Sequence, residues 1–268
     1  AENIYVTITF FVLASLGLLF SLCCLFLNSI YRKKEYIKMS SPHFNNVTVV
    51  GCMLCYVEVI WSTYIDPSSA EQNPCLCYIT AFLLSTGFTL AFGGMFVKTW
   101  RIYKIFTNTQ LRRRVGNLSN RSLLLRIVAV WFIDVIILSC WAVVDPMTIK
   151  KESIFEVNSV DDDVRVEILS YRSTSNYHLT WLASLFSLKG IMLIFGVFLA
   201  WETRNVHHPA LNDSKSIALA VYNVFMFSFL GFVVTFAVEY PSLRSLINRS
   251  VVFAGTTSTI CLLFVPKV

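Results

Sequence analysis

Seven times along this chain an apolar run of about twenty residues rises out of a short polar loop and falls back into the next. The runs are 4–30, 47–65, 77–100, 123–144, 179–201, 216–238 and 246–265. At about 1.5 Å per residue, each is long enough to cross a hydrocarbon core of roughly 30 Å as a helix. Backbone groups in lipid must pair inside their own segment or around a closed barrel, and barrel strands need only about ten residues. The lengths therefore predict an all-α membrane protein: a single domain over 1–268, built as a seven-transmembrane helix bundle. Composition agrees, with 56% hydrophobic and 14% charged residues, where soluble domains carry about 25% charged. Mean hydropathy is +0.63. The first run is too long for a signal-peptide core and has no basic residue before it, so it reads as a span. Because residue 1 is Ala and not Met, the sequence is expected to be a piece of a longer protein.

The loops give the direction of the bundle. Arg32, Lys33, Lys34 and Lys38 lie in the first loop, and Arg101, Lys104, Arg112, Arg113, Arg114 and Arg121 in the third, flanked by Lys98 and Arg126. Arg204 and Lys215 lie in the fifth loop, and Lys267 follows the last run. The opposite side holds Lys150, Lys151, Arg165, Arg172, Arg244 and Arg249, diluted by most of the acids. The positive-inside rule then predicts a multi-pass membrane protein with its N-terminus extracellular and its C-terminus cytosolic. Topology and anionic inner-leaflet lipid account for the net charge of +6, so no nucleic-acid partner is implied. In the long outer loop 145–178, Val160, Val164, Val166 and Ile168 flank Asp161, Asp162 and Asp163, a pattern that predicts a β-hairpin.

Polar residues inside or at the edge of such runs are the candidates for function. Between runs five and six, the apolar sequence ends at Glu202 and Arg204, and Asn212, Asp213 and Ser214 then offer side-chain caps to a new helix. Lys98 closes the third run and Asp213 opens the sixth. A Lys98–Asp213 pair would tie two helix ends and would have to break if either moved. The alternative is a lysine reaching to lipid phosphates and an aspartate that only caps its helix. Glu58, Asp134 and Lys189 lie within runs. Glu58 is either a neutral side chain bonded within the bundle or a contact for a lipid or ligand headgroup. Cys52-x-x-Cys55 lies inside a run with no histidine nearby and reads as core packing. A membrane-embedded metal hydrolase would need ligands within the runs. His43, His178, His207 and His208 all lie in loops or at run ends, so no metal or cofactor is predicted. The last run lacks a lysine for retinal, and the halves lack the internal repeats and broken helices of transporters. No enzyme activity is expected. The sequons at Asn46, Asn117, Asn120 and Asn212 fall on the cytosolic side, and Asn248 lies too near the membrane for a glycan.

Several stretches resemble one family in the same order along the whole chain: KMSSP at 38–42, FGGMFVKTWR at 92–101, WAVVDP at 141–146, FLAWETRNV at 198–206, PALNDSK at 209–215, VYNV at 221–224 and FVPK at 264–267. They are similar to class C G-protein-coupled receptors of the GABA-B type, with 201–205 and 209–211 nearer to the second subunit than to the first. The resemblance implies the bundle of a receptor that transmits extracellular agonist binding to a heterotrimeric G protein of the inhibitory Gi/o class. It implies a heterodimer with a subunit-1-like chain, although a homodimer, an orphan class C receptor or a non-signalling dimerisation subunit remain as alternatives. An extracellular flytrap domain and a cytosolic tail would flank the bundle in that family.

By the same resemblance, Lys98 and Asp213 match the two members of an ionic lock. Leu211 matches a residue that engages the G protein, and Arg112, Arg113, Arg114 and Arg204 would join it; on sequence alone the arginine run is a stop-transfer and lipid-binding stretch. Tyr222 and Asn223 match a dimer-interface pair, against the plainer reading of packing within the bundle. Asp134 and Lys189 match family positions, whereas Glu58 stands where the family has a small polar residue. Cys77 matches a cysteine whose family partner lies in the second outer loop. That loop has no cysteine here and Ser173 fills the slot, so the family's bridge is not available within this chain; Cys75 and Cys77 are too close together to pair without strain.

Overall fold

The computed structural model describes residues 4–34, 41–64, 75–107, 120–157, 163–173, 177–204, 214–238 and 240–267. Seven long helices carry the chain: α1 (Ile4–Ile30), α2 (Pro42–Tyr64), α3 (Cys75–Thr107), α4 (Asn120–Val144), α5 (His178–Thr203), α6 (Ser214–Ala237) and α7 (Pro241–Phe264). Each contains a segment long and apolar enough to span a membrane. Short 3-10 turns follow α1 at Tyr31–Lys33 and α7 at Val265–Lys267. Between α4 and α5, β1 (Met147–Val157) pairs antiparallel with β2 (Asp163–Ser173), Met147 opposite Ser173 and Val157 opposite Asp163.

Several helices run past the apolar segments that announce them. α3 continues from 100 to Thr107, and α7 begins at Pro241 and not at 246. Apolarity marks the hydrocarbon slab, but the ladder of backbone hydrogen bonds has no reason to stop at its edge. At 33 residues α3 is about 50 Å long, well beyond a core of about 30 Å. Pro241 suits the first turn of α7, where its missing N–H removes no bond.

α3 is the central helix, in contact with α2, α4, α5 and α6, while α1 packs mainly on α2 and α6 on α7. The closest seam is α2–α3. A Cβ on Gly51 would stand 2.2 Å from the Ala91 backbone nitrogen, and one on Gly94 would stand 2.3 Å from Thr48 Oγ1. Only hydrogen fits there, and the small residues let two backbones approach as lipid-embedded helices need. On its other side α3 carries Phe88, Phe92, Phe96 and Trp100 at four-residue spacing, with successive ring centroids 5.6, 6.2 and 6.3 Å apart.

The helices expose large apolar side chains to their surroundings and bury several charged ones. The exposed surface is Leu, Ile, Phe and Val, while Glu58, Lys98, Asp134 and Arg249 are all buried. Charges are costly in lipid and turn inward to find partners.

Candidate functional site

Two polar layers cross the bundle interior, and both are anchored on α3. The deeper one joins α3, α4 and α5. Asp134 on α4 is 1% exposed, and its Oδ2 lies 2.5 Å from Lys189 Nζ on α5. Thr89 on α3 donates to the same oxygen at 2.5 Å and accepts from Lys189, which also donates to the Ser85 carbonyl at 3.4 Å. Lys189 thus has an acceptor for each of its three ammonium hydrogens, which is what an ammonium held away from water requires. The two residues that the sequence analysis considers singly are one ion pair. Thr89, which sequence reasoning missed, is the residue that brings α3 into it; its only signal was a hydroxyl within an apolar run.

The second layer lies at the basic end of the bundle, where α1 meets α2 and α2 meets α3. Lys98, 6% exposed, donates to Asn45 Oδ1 on α2. Arg101, one turn further along α3, donates to Ser41 Oγ at 3.4 Å. Ser41 has φ of 55°, a left-handed conformation uncommon outside glycine, and its carbonyl accepts from Phe44 N at 3.1 Å to start α2. Asn28 on α1 donates to the Pro42 carbonyl at 3.0 Å and to Asn46 Oδ1 at 2.5 Å. This end of the molecule is therefore fastened by buried amides in place of apolar packing alone. Asn45 was not legible as the partner of Lys98, because an asparagine near a helix start reads first as a cap.

The aromatic ladder of α3 runs from the first layer toward the basic end. Lys189 Nζ sits 5.5 Å from the centre of the Phe88 ring at one end, and the Arg126 guanidinium 5.8 Å from Trp100 at the other. Gly196 on α5 makes room for it, since a Cβ there would meet Phe92 Cζ at 2.4 Å.

The remaining candidates fall as follows. Asn223 on α6 donates to Thr259 Oγ1 at 3.0 Å and to the Gly255 carbonyl at 3.2 Å, and its Oδ1 accepts from Ser258 at 3.0 Å. Its hydrogen bonds are thus made within this chain, to α7, and Tyr222 packs half-buried against the main core. Arg204 caps the C-terminus of α5 and stacks over Trp201 at 3.4 Å. Glu58 is 5% exposed, and its Oε2 has no hydrogen-bond partner among the described residues. Asp213, Leu211, Arg112, Arg113 and Arg114 lie outside the described residues, as do the side chains of Cys75 and Cys77. Among the described residues, no group of three His, Cys, Asp or Glu side chains is arranged to hold a metal.

A family model described as "7 transmembrane sweet-taste receptor of 3 GCPR" matches residues 3–267, the whole bundle and its loops. The chain belongs to the class C family of G-protein-coupled receptors. That family is not one of enzymes, and its seven apolar helices make this chain a multi-pass membrane protein of the plasma membrane. This class C bundle is 36% identical over 262 residues to gamma-aminobutyric acid type B receptor subunit 2 of Homo sapiens, covering 95% of this chain and 27% of the relative. To subunit 2 of Caenorhabditis elegans it is 38% identical over 263 residues, 96% of this chain and 30% of the relative. To subunit 1 of Rattus norvegicus it is 29% identical over 274 residues, all of this chain and 28% of the relative. The chain spans less than a third of the length of these curated relatives.

Proposed function

We propose that this class C bundle is the signal-transmitting part of a receptor of GABA-B type, turning extracellular agonist binding into activation of a heterotrimeric G protein of the inhibitory Gi/o class. It does so paired with a subunit-1-like chain, with its N-terminus outside the cell and its basic end in the cytosol. The observation that carries the reading is Lys98: a cation held inside the bundle at the basic end, on the helix that touches α2, α4, α5 and α6. A buried ammonium must be compensated in every state the bundle adopts. In the resting state Asp213, the residue preceding α6, completes its shell as an ionic lock, and Asn45 steadies it from α2. Agonist-driven rearrangement parts α3 and α6, breaks the lock and opens the basic face. Leu211 and the cations Arg112, Arg113, Arg114 and Arg204 then engage the acidic surface of the G protein, where charge complementarity speeds encounter. Tyr222 and Asn223, beside the α6–α7 contact, form the link through which the partner's bundle biases α6.

The reading is tested by G-protein activation in cells expressing the full-length receptor alone and with a subunit-1-like chain. Agonist-dependent activation confined to the co-expressing cells is expected. Equal activation by the chain alone would make it a self-sufficient receptor, and none in either case would reduce it to a dimerisation subunit.

A further inference from the structure

At the basic end, a recess of about 60 Å³ opens between the last turn of α1 and the first turn of α2. That is room for one small polar group, since a liquid water occupies about 30 Å³. It is lined by Asn28, Ser29, Arg32, Pro42, His43 and Asn46. Among the described residues no carboxylate lines it. We propose that this recess binds the phosphate-bearing headgroup of an anionic membrane lipid.

The hydrogen-bond inventory of the lining is one-sided. Asn28 spends both amide hydrogens on the Pro42 carbonyl and Asn46 Oδ1, which fixes the floor. Asn46 donates one hydrogen to Ser29 Oγ at 3.3 Å, and its second has no acceptor among the described residues. The Ser29 hydroxyl hydrogen, the Arg32 guanidinium and the His43 ring likewise have none there. The recess therefore offers donors and a permanent positive charge from which the oxygens of an anion can accept.

Its place in the fold selects a lipid over a free phosphate. Leu22, Phe26 and Ser29 recur at helical spacing along one stripe of α1, and Arg32 follows in the 3-10 turn after it. Leu22 and Phe26 are 43% and 66% exposed, as lipid-facing residues of a spanning helix are. An acyl chain lying on that stripe leads its headgroup to Ser29 at the mouth of the recess, where α1 leaves the apolar slab. Lys33 and Lys34 follow directly, and Lys34 Nζ is drawn over the Tyr31 ring at 4.7 Å, which leaves Arg32 as the cation at the rim. The site is independent of the signalling role and does not rest on which chain is the partner.

The test is binding of phosphatidylserine and phosphatidylcholine to the purified protein in nanodiscs, read by native mass spectrometry. Wild type is expected to retain phosphatidylserine at least about fivefold better, the preference one well-placed cation provides. Arg32→Gln and Asn46→Leu should lose that preference, while Lys215→Gln, a cation elsewhere on the same end, should keep it. Arg32 is exposed, so its variant tests the site even if Asn46→Leu does not fold. An equal fall in all three variants would mean diffuse attraction to the basic end and overturn the site, as would the absence of any preference in wild type. Displacement of the lipid by millimolar inorganic phosphate would assign the recess to free phosphate and overturn the lipid assignment.

Discussion

Asp134 and Lys189 are the clearest case of two residues that mean little apart and much together. A buried ion pair adds little over well-packed apolar residues, yet removing one partner strands the other at a penalty of about 3–5 kcal/mol. Asp134→Asn should therefore lower the thermal midpoint of the purified bundle sharply, by the equivalent of that penalty. Lys189→Met in the same background should restore most of the loss. A double variant no better than the single one would mean that the pair does not act as a unit. The existence of these charges was legible in the sequence, because any ionisable residue in an apolar run demands an explanation. Their pairing was not, since positions 134 and 189 belong to different helices and only packing decides which faces meet. Thr89 and Asn45 escaped notice too: a hydroxyl inside a span carries no charge to draw attention, and an amide just before a span reads as a helix cap. Asn223 shows the converse, a position singled out by resemblance whose bonds, within this chain, go to Ser258, Thr259 and the Gly255 carbonyl.

At the scale of elements, the number of helices was legible because a hydrocarbon core sets a length and apolar composition reports it. Where the helices end was less so, because α3 and α7 continue into the headgroup region where apolarity no longer marks them. Which helices lie nearest was recorded only in glycines. The α2–α3 seam depends on Gly51, whose added Cβ would meet backbone atoms that cannot move aside, whereas Gly190 on α5 has nothing within 4 Å. Gly51→Leu should abolish surface expression, since overpacking costs 1–3 kcal/mol even where side chains can yield. Gly190→Ala should express normally and gain up to about 1 kcal/mol from helix propensity. Equal tolerance of both in a cell-surface immunoassay would show that the two helices do not approach this closely.

Over the whole molecule, one helix carries the connections between the two ends. α3 holds the Asp134–Lys189 pair through Thr89, runs an aromatic ladder toward the basic end, and there presents Lys98 and Arg101 to α2. The ladder thus runs along α3 from the Lys189 ammonium at one end to the Arg126 guanidinium at the other. In the proposed mechanism the resting state rests on keeping α3 and α6 together at the basic end. The most direct test is basal G-protein activation at matched surface density for wild type, Lys98→Asp, Asp213→Lys and the double exchange. Each single exchange, like Asp213→Ala, should raise basal activation several-fold, and the double exchange should bring it back toward wild type. Basal activation unchanged or lowered in the single variants, or no recovery in the double, would contradict the lock.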